Sequence, residues 1–264
     1  MKSGIQISLV ILLFVNVAPT VFGQSGIEKD PRGSQLANLL APNVSNTAAD
    51  PVNSGTANLR EERKRTAVES AQDAIRAGTA SLEARHYKDA LASFEAAAQL
   101  VPNSGVVHAS RGYAYLCLEQ YENSIKAFER AVTLGPDSSE TRKALGIVYL
   151  RLGKADQAIA PLQEAIRLEP QDAINHYLLA IAYESNGQLS DAADHFLRSL
   201  ALDRAFLSPY YGLAAVYTDQ SRIEDAIGLL GEALRLKPDF GEAYLALGNA
   251  LCSSGNYKES IQEL

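Results

Sequence analysis

The chain has 264 residues, a formal net charge of −7 and 47% hydrophobic residues. Its length predicts one or two globular domains unless the sequence is repetitive. The acidic balance argues against nucleic acid as a partner, because nucleic-acid-binding proteins present a basic surface.

The first 23 residues have the pattern of a secretory signal peptide. Lys2 is followed by an apolar run from about Ile5 to Ala18, and the run ends shortly before Gly23. The run is shorter than the ~20 residues that a membrane span requires. We therefore expect residues 1–23 to be a signal peptide, with an uncleaved membrane anchor as the alternative, and we expect no integral membrane span after cleavage.

Two segments precede the repetitive part of the chain. Residues 24–58 are rich in Gly, Ser, Asn, Ala and Pro and have almost no aromatic residues, so they bury too little apolar surface to fold. We predict a disordered tether there. Residues 59–70 contain a cluster of mixed charges and are predicted to be a leading helical extension of the first repeat.

From residue 71 the same pattern recurs every 34 residues. Position 8 of the unit is glycine or alanine, position 20 is alanine or serine, and position 30 is always leucine. Position 32 is proline in four of the five complete units, with Arg204 as the departure. The six units are 71–104, 105–138, 139–172, 173–206, 207–240 and the truncated 241–264.

This pattern resembles the tetratricopeptide repeat, although no unit has the tryptophan that the family often places at position 4. The resemblance implies an all-α fold, a right-handed α-α superhelical solenoid of tandem helix-turn-helix units. In this article the first helix of a repeat is its A helix and the second its B helix. Small residues at position 8 allow close helix approach, proline at position 32 separates the units, and Gly153 and Gly187 suit the turn inside a unit.

The resemblance also implies a concave groove lined by A-helix positions 2, 5, 9 and 12. We predict that this groove binds a partner peptide or helix. The predicted groove residues are Tyr113, Lys143, Ile147, Tyr177, Ile181, Glu184, Tyr211 and Asn249. For the tyrosines two interpretations stay open, because each ring can anchor a partner or can pack against a neighbouring repeat.

No pattern in the sequence points to catalysis, so we predict that the chain is not an enzyme and has no cofactor. Its four histidines lack the spacing of a zinc site, and there is no phosphate loop or nucleophile elbow. Cys117 and Cys252 lie in different repeats and are predicted to be partly buried free thiols.

The leading hypothesis is an exported protein-interaction scaffold of the periplasm, cell envelope or extracellular space, which binds a protein or peptide. The residues of a carboxylate clamp for acidic C-termini are absent, so we predict no such clamp. The alternative is a substrate-recruiting arm of a larger enzyme whose catalytic domain lies beyond residue 264. Homo-oligomerisation is a third hypothesis, because no polar capping helix follows the sixth repeat.

Overall fold

The computed structural model describes residues 54–253, with side chains from residue 62 onward, and every element within that range is an α-helix. The chain divides into two compact units, one up to Asp137 and one from Ser138. The described part of the first unit contains α1 (Ser54–Glu83), α2 (Tyr87–Leu100), α3 (Gly105–Cys117) and α4 (Tyr121–Leu134).

The second unit contains α5 (Ser139–Arg151), α6 (Ala155–Leu168), α7 (Ala173–Ser185), α8 (Leu189–Leu202), α9 (Ser208–Asp219), α10 (Ile223–Leu236) and α11 (Gly241–Ser253). The A helices α5, α7 and α9 each pack against the B helix that follows, and successive A helices of this unit lie side by side. The predicted all-α fold of tandem helix pairs is therefore confirmed.

The tight turn inside each helix pair depends on one repeat position. Position 15 adopts a left-handed backbone conformation in all five complete repeats, with φ between 58° and 76°. Gly153 and Gly187 adopt it without strain, as predicted. Arg85, Glu119 and Ser221 occupy it elsewhere, so these three turns are held by their flanking helices at some cost in backbone energy.

The close helix approach predicted at position 8 rests on contacts with a large side chain at position 24. A Cβ atom on Gly112 would lie 2.7 Å from Cδ1 of Phe128, and one on Gly146 would lie 2.5 Å from Cγ of Leu162. Gly78 meets the ring of Phe94 in the same way. The space left by the absent side chain is therefore filled by a buried residue of the partner helix.

The helix ends show one side-chain cap and one difference from the sequence analysis. Ser138 caps α5, since its hydroxyl accepts a hydrogen bond from the backbone N–H of Thr141 at 3.3 Å. Helix α1 begins at Ser54, inside the segment assigned to the tether, and continues without a break through the predicted extension. The signal peptide and the rest of the tether lie outside the described residues.

Candidate functional site

The A helices α7, α9 and α11 present neighbouring side chains that carry one carboxylate each. These are Glu184 on α7, Asp219 at the end of α9 and Glu242 in the first turn of α11. None of the three helices contains a lysine or arginine. We call the surface formed by Glu184, Tyr211, Asp219, Glu242 and Leu245 the A-helix face.

Burial and neighbouring charge shift the pKa of two side chains on this face. Burial, reinforced by the charge of Asp219, raises the pKa of the Glu184 carboxyl to about 7. Burial also raises the pKa of the Tyr211 phenol, and the carboxylates of Glu184 and Glu242 add to that effect. The phenol of Tyr211 therefore experiences the negative charge of both carboxylates.

The A-helix face also has an apolar component. Leu245 is 50% exposed and lies one helical turn after Glu242, on the same side of α11. Tyr211 is half-buried, so part of its ring is in contact with solvent. An exposed leucine and a partly exposed aromatic ring on adjacent A helices are the composition that protein interfaces favour.

Tyr177 was predicted to line this groove but is a core residue. Only 2% of it is exposed, and its ring meets the edge of Phe206 with ring centroids 4.9 Å apart. Its hydroxyl hydrogen-bonds with Ser208, and burial raises the pKa of the phenol far above its ordinary value. The interpretation of this tyrosine as a packing residue is therefore the correct one.

The other groove residues predicted on α5, α7 and α11 differ in accessibility. Lys143 is 17% exposed and forms an ion pair with Asp172 at 2.6 Å, so its charge is already neutralised. Ile147 is half-buried, Ile181 is 7% exposed, and Asn249 is exposed. In this unit, Glu184 and Tyr211 are the predicted polar and aromatic residues that are partly exposed and also have a raised pKa.

Tyr113 belongs to the first unit and is half-buried. Its ring stands edge-on to Phe128, with centroids 5.0 Å apart and an interplanar angle of 83°. Phe128 also fills the space at Gly112. Tyr113 therefore contributes to core packing in its own helix pair and presents only part of its ring.

A pair of histidines in the fourth repeat was missed by the sequence analysis. The Nδ1 atoms of His176 on α7 and His195 on α8 lie 3.1 Å apart, so one ring donates to the other. Burial lowers the pKa of both rings, to about 4 for His195, where His176 adds to the effect. Positions 4 and 23 face each other across the helix pair, and this register could have revealed the contact.

Neither cysteine is in a disulfide, as predicted. Cys117 is half-buried, and burial raises its pKa to about 11, whereas Cys252 is exposed, so the prediction of partial burial was wrong for Cys252. Across the described residues, no group of three or more His, Cys, Asp or Glu side chains could hold a metal ion. No helix in residues 54–253 is both long and apolar enough to span a bilayer.

Three family models, each described as tetratricopeptide repeat, match residues 103–171, 143–205 and 217–264. Together they cover more than half of the chain. The chain is a tetratricopeptide-repeat protein. No curated protein matches its sequence.

Several solved structures share the fold of this chain. YrrB, described as a protein with an unusual peptide-binding site, is 22% identical with a TM-score of 0.61, over 73% of this chain and 97% of YrrB. The type IV pilus biogenesis factor PilW is 20% identical with a TM-score of 0.65, over 73% of this chain and 90% of PilW. MamA from Desulfovibrio magneticus RS-1 is 19% identical with a TM-score of 0.59, over 67% and 97% of the two chains.

Proposed function

We propose that this tetratricopeptide-repeat protein is an exported, non-catalytic scaffold that binds a peptide or helix of a partner protein on the A-helix face. The observation that carries the proposal is the exposure of Leu245 on α11, together with the partly exposed ring of Tyr211 on the adjacent A helix α9. Burying these two side chains against a partner removes apolar surface from water, at about 25 cal/mol per Å². YrrB, which has a peptide-binding site, provides a precedent in the same fold.

The binding test compares two leucines with nearly equal exposure. Leu245 on α11 is 50% exposed and Leu236 on α10, a B helix, is 52% exposed. Peptides selected on the full chain from a random library of about 12-residue sequences, long enough to cross the face, serve as probes. We expect Leu245→Ala and Tyr211→Ala to weaken the selected peptides about 10-fold or more, as for hot-spot residues, and Leu236→Ala to leave affinity unchanged.

Equal losses in Leu245→Ala and Leu236→Ala would contradict the proposed location. Failure to select any peptide would contradict the function itself. Circular dichroism and melting curves of the three variants provide the folding control. Both leucines are exposed, so neither substitution creates a core cavity.

Export is proposed from the pattern of residues 1–23 and is tested separately. When the full chain is expressed in a secreting bacterium, we expect mature protein that begins close after Gly23 and fractionates with the cell envelope or medium. Retention of Met1 together with cytoplasmic fractionation would contradict export. The peptide-binding proposal does not depend on this outcome.

A further inference from the structure

A side-chain hydrogen bond recurs at the start of three A helices. The residue at position 4 contacts the backbone carbonyl at position 32 of the preceding repeat. The contacts join His108 Nε2 to the Pro102 oxygen at 2.9 Å, His176 Nε2 to the Pro170 oxygen at 3.3 Å and the Tyr210 hydroxyl to the Arg204 oxygen at 3.3 Å. Because a carbonyl oxygen only accepts, each neutral histidine carries its proton on Nε2 and keeps a lone pair on Nδ1.

In the fourth repeat this lone pair faces a second histidine. Position 23 is His195 there, whereas it is Ala127 in the second repeat. The Nδ1 atoms of His176 and His195 lie 3.1 Å apart. Since Nδ1 of His176 is the acceptor, His195 must donate from its own Nδ1–H, and its free lone pair is on Nε2.

The histidine pair also connects its helix pair with the third repeat. The ring of His195 on α8 lies against Tyr183 on α7, with ring centroids 5.6 Å apart. The hydroxyl of Tyr183 accepts a hydrogen bond from the amide of Gln163 on α6 at 2.9 Å. The pair therefore holds α8 to α7 where α7 is itself bonded to Pro170 and to α6.

The contact between the two rings tolerates one added proton but not two. The first can bind Nε2 of His195 and leave the donation to His176 intact. The second must bind Nδ1 of His176, and two N–H groups then face each other across 3.1 Å. His176 is only 5% exposed, so water cannot readily replace the lost hydrogen bond.

The surroundings disfavour both protonation steps. Burial lowers the pKa of His176 and of His195, to about 4 for His195, and the charge of Arg198 lowers both further. The charged groups that favour protonation are Asp172 before α7, which acts on His176, and Asp191 and Asp194 on α8, which act on His195. Within residues 54–253, the packed helices α5, α6 and α9 add no charged group to these effects.

We propose that the histidine pair is a pH-sensitive contact, which holds α8 against α7 at neutral pH and loosens α8 when both rings are protonated. Once α8 has opened, both rings can take up protons near the ordinary pKa of histidine, about 6.5. Each fall in pH below that value therefore favours the opened form. This device goes beyond the proposed function and does not depend on it.

Nuclear magnetic resonance of the full chain tests the hydrogen bond directly. At pH 7 long-range ¹⁵N spectra should show a proton on Nε2 of His176 and on Nδ1 of His195, with a scalar coupling between the two Nδ1 nuclei. Amide hydrogen exchange then measures the opening. Between pH 7 and about 4.5 the protection of α8 should fall about 10-fold or more relative to α4, the B helix that carries Ala127.

Two matched variants assign the acid response. His195→Gln offers an amide that can donate to neutral His176 or rotate to accept from its protonated form, so the protection of α8 relative to α4 should be the same at both pH values. His195→Phe also lacks the second titratable ring and should behave alike if the amide disturbs folding. The control His108→Gln removes a position-4 histidine that faces Ala127, and it should keep the full acid response of α8.

Three results would overturn the proposal. One is a His195 ring that carries its proton on Nε2 at pH 7, because the contact would then lack its donor. Another is an equal loss of protection in α8 and α4 of the wild type on acidification. The last is an acid response of α8 that persists unchanged in both His195 variants.

Discussion

The environment of Glu184 predicts that this side chain lowers stability at alkaline pH. Its pKa rises from 4.5 to about 7 on folding. Between these values the folded state holds a proton that the unfolded state has released, so the free energy of unfolding falls as pH rises through this window. Well above pH 7 the folded chain carries the partly buried charge in nearly every molecule.

The size of the effect follows from the shift. About 2.5 pKa units at about 1.4 kcal/mol each set an upper limit of roughly 3 kcal/mol. Relaxation and water penetration reduce it, so we expect Glu184→Gln to raise the free energy of unfolding by about 1–3 kcal/mol near pH 8. Near pH 5 the wild-type side chain is already neutral when folded, and the substitution should have little effect.

Urea unfolding of wild type, Glu184→Gln and the control Glu224→Gln, which removes one exposed carboxylate from α10, measures this difference at both pH values. The histidine pair also titrates over this range, but it is common to all three proteins and cancels in the comparison. A stabilisation of the same size at both pH values would refute the reasoning. So would destabilisation by Glu184→Gln near pH 8, because the charge would then be favourably paired.

Three further predictions concern the core. Gly112→Ala should lower stability by about 1–3 kcal/mol in chemical unfolding, because its methyl group would overlap Phe128. Gly231→Ala, where the added methyl group on α10 would meet open space, should instead raise stability by up to about 1 kcal/mol. If both substitutions changed the free energy of unfolding in the same direction, the packing argument would be contradicted. Tyr177→Ala should cost about 3–5 kcal/mol and lower the melting temperature, whereas unchanged melting would place its ring at the surface. We expect melting curves of the wild type to show a loss of stability as the pH falls from 6.5 to about 4, since the folded state resists protonation of the buried histidine pair, and His195→Phe should flatten this loss; an unchanged pH profile would exclude the pair as its cause.

The repeat period predicted the helices, their pairing and the glycine contacts because each depends on side-chain spacing along a helix. Depth of burial depends on details outside that period. In the fourth repeat Arg204 replaces the usual proline, and the loop that follows places Phe206 against Tyr177. A ring assigned to the groove by its position is therefore covered by a residue from the next connection.

The same reasoning could predict only some of the charged residues of the candidate site. Glu184 could be assigned by position, but its shifted pKa arises from desolvation and from Asp219 on the next helix pair. Asp219 lies outside the four groove positions and was not singled out. The complete lack of basic residues in α7, α9 and α11 was readable from the sequence and is the signal that could have identified the face.

One exception in the glycine packing links the fourth and fifth helix pairs. In the first three repeats the small residue and the large side chain that fills its space belong to the same pair. Position 8 of the fourth repeat is Ala180, and the ring of Phe196, at position 24 of that repeat, fills the space at Gly212, position 6 of the following pair, where a Cβ atom would lie 2.5 Å from Cζ. Opening of α9 would therefore remove packing from α8 as well, so amide hydrogen exchange should report the two pairs as a single cooperative unit.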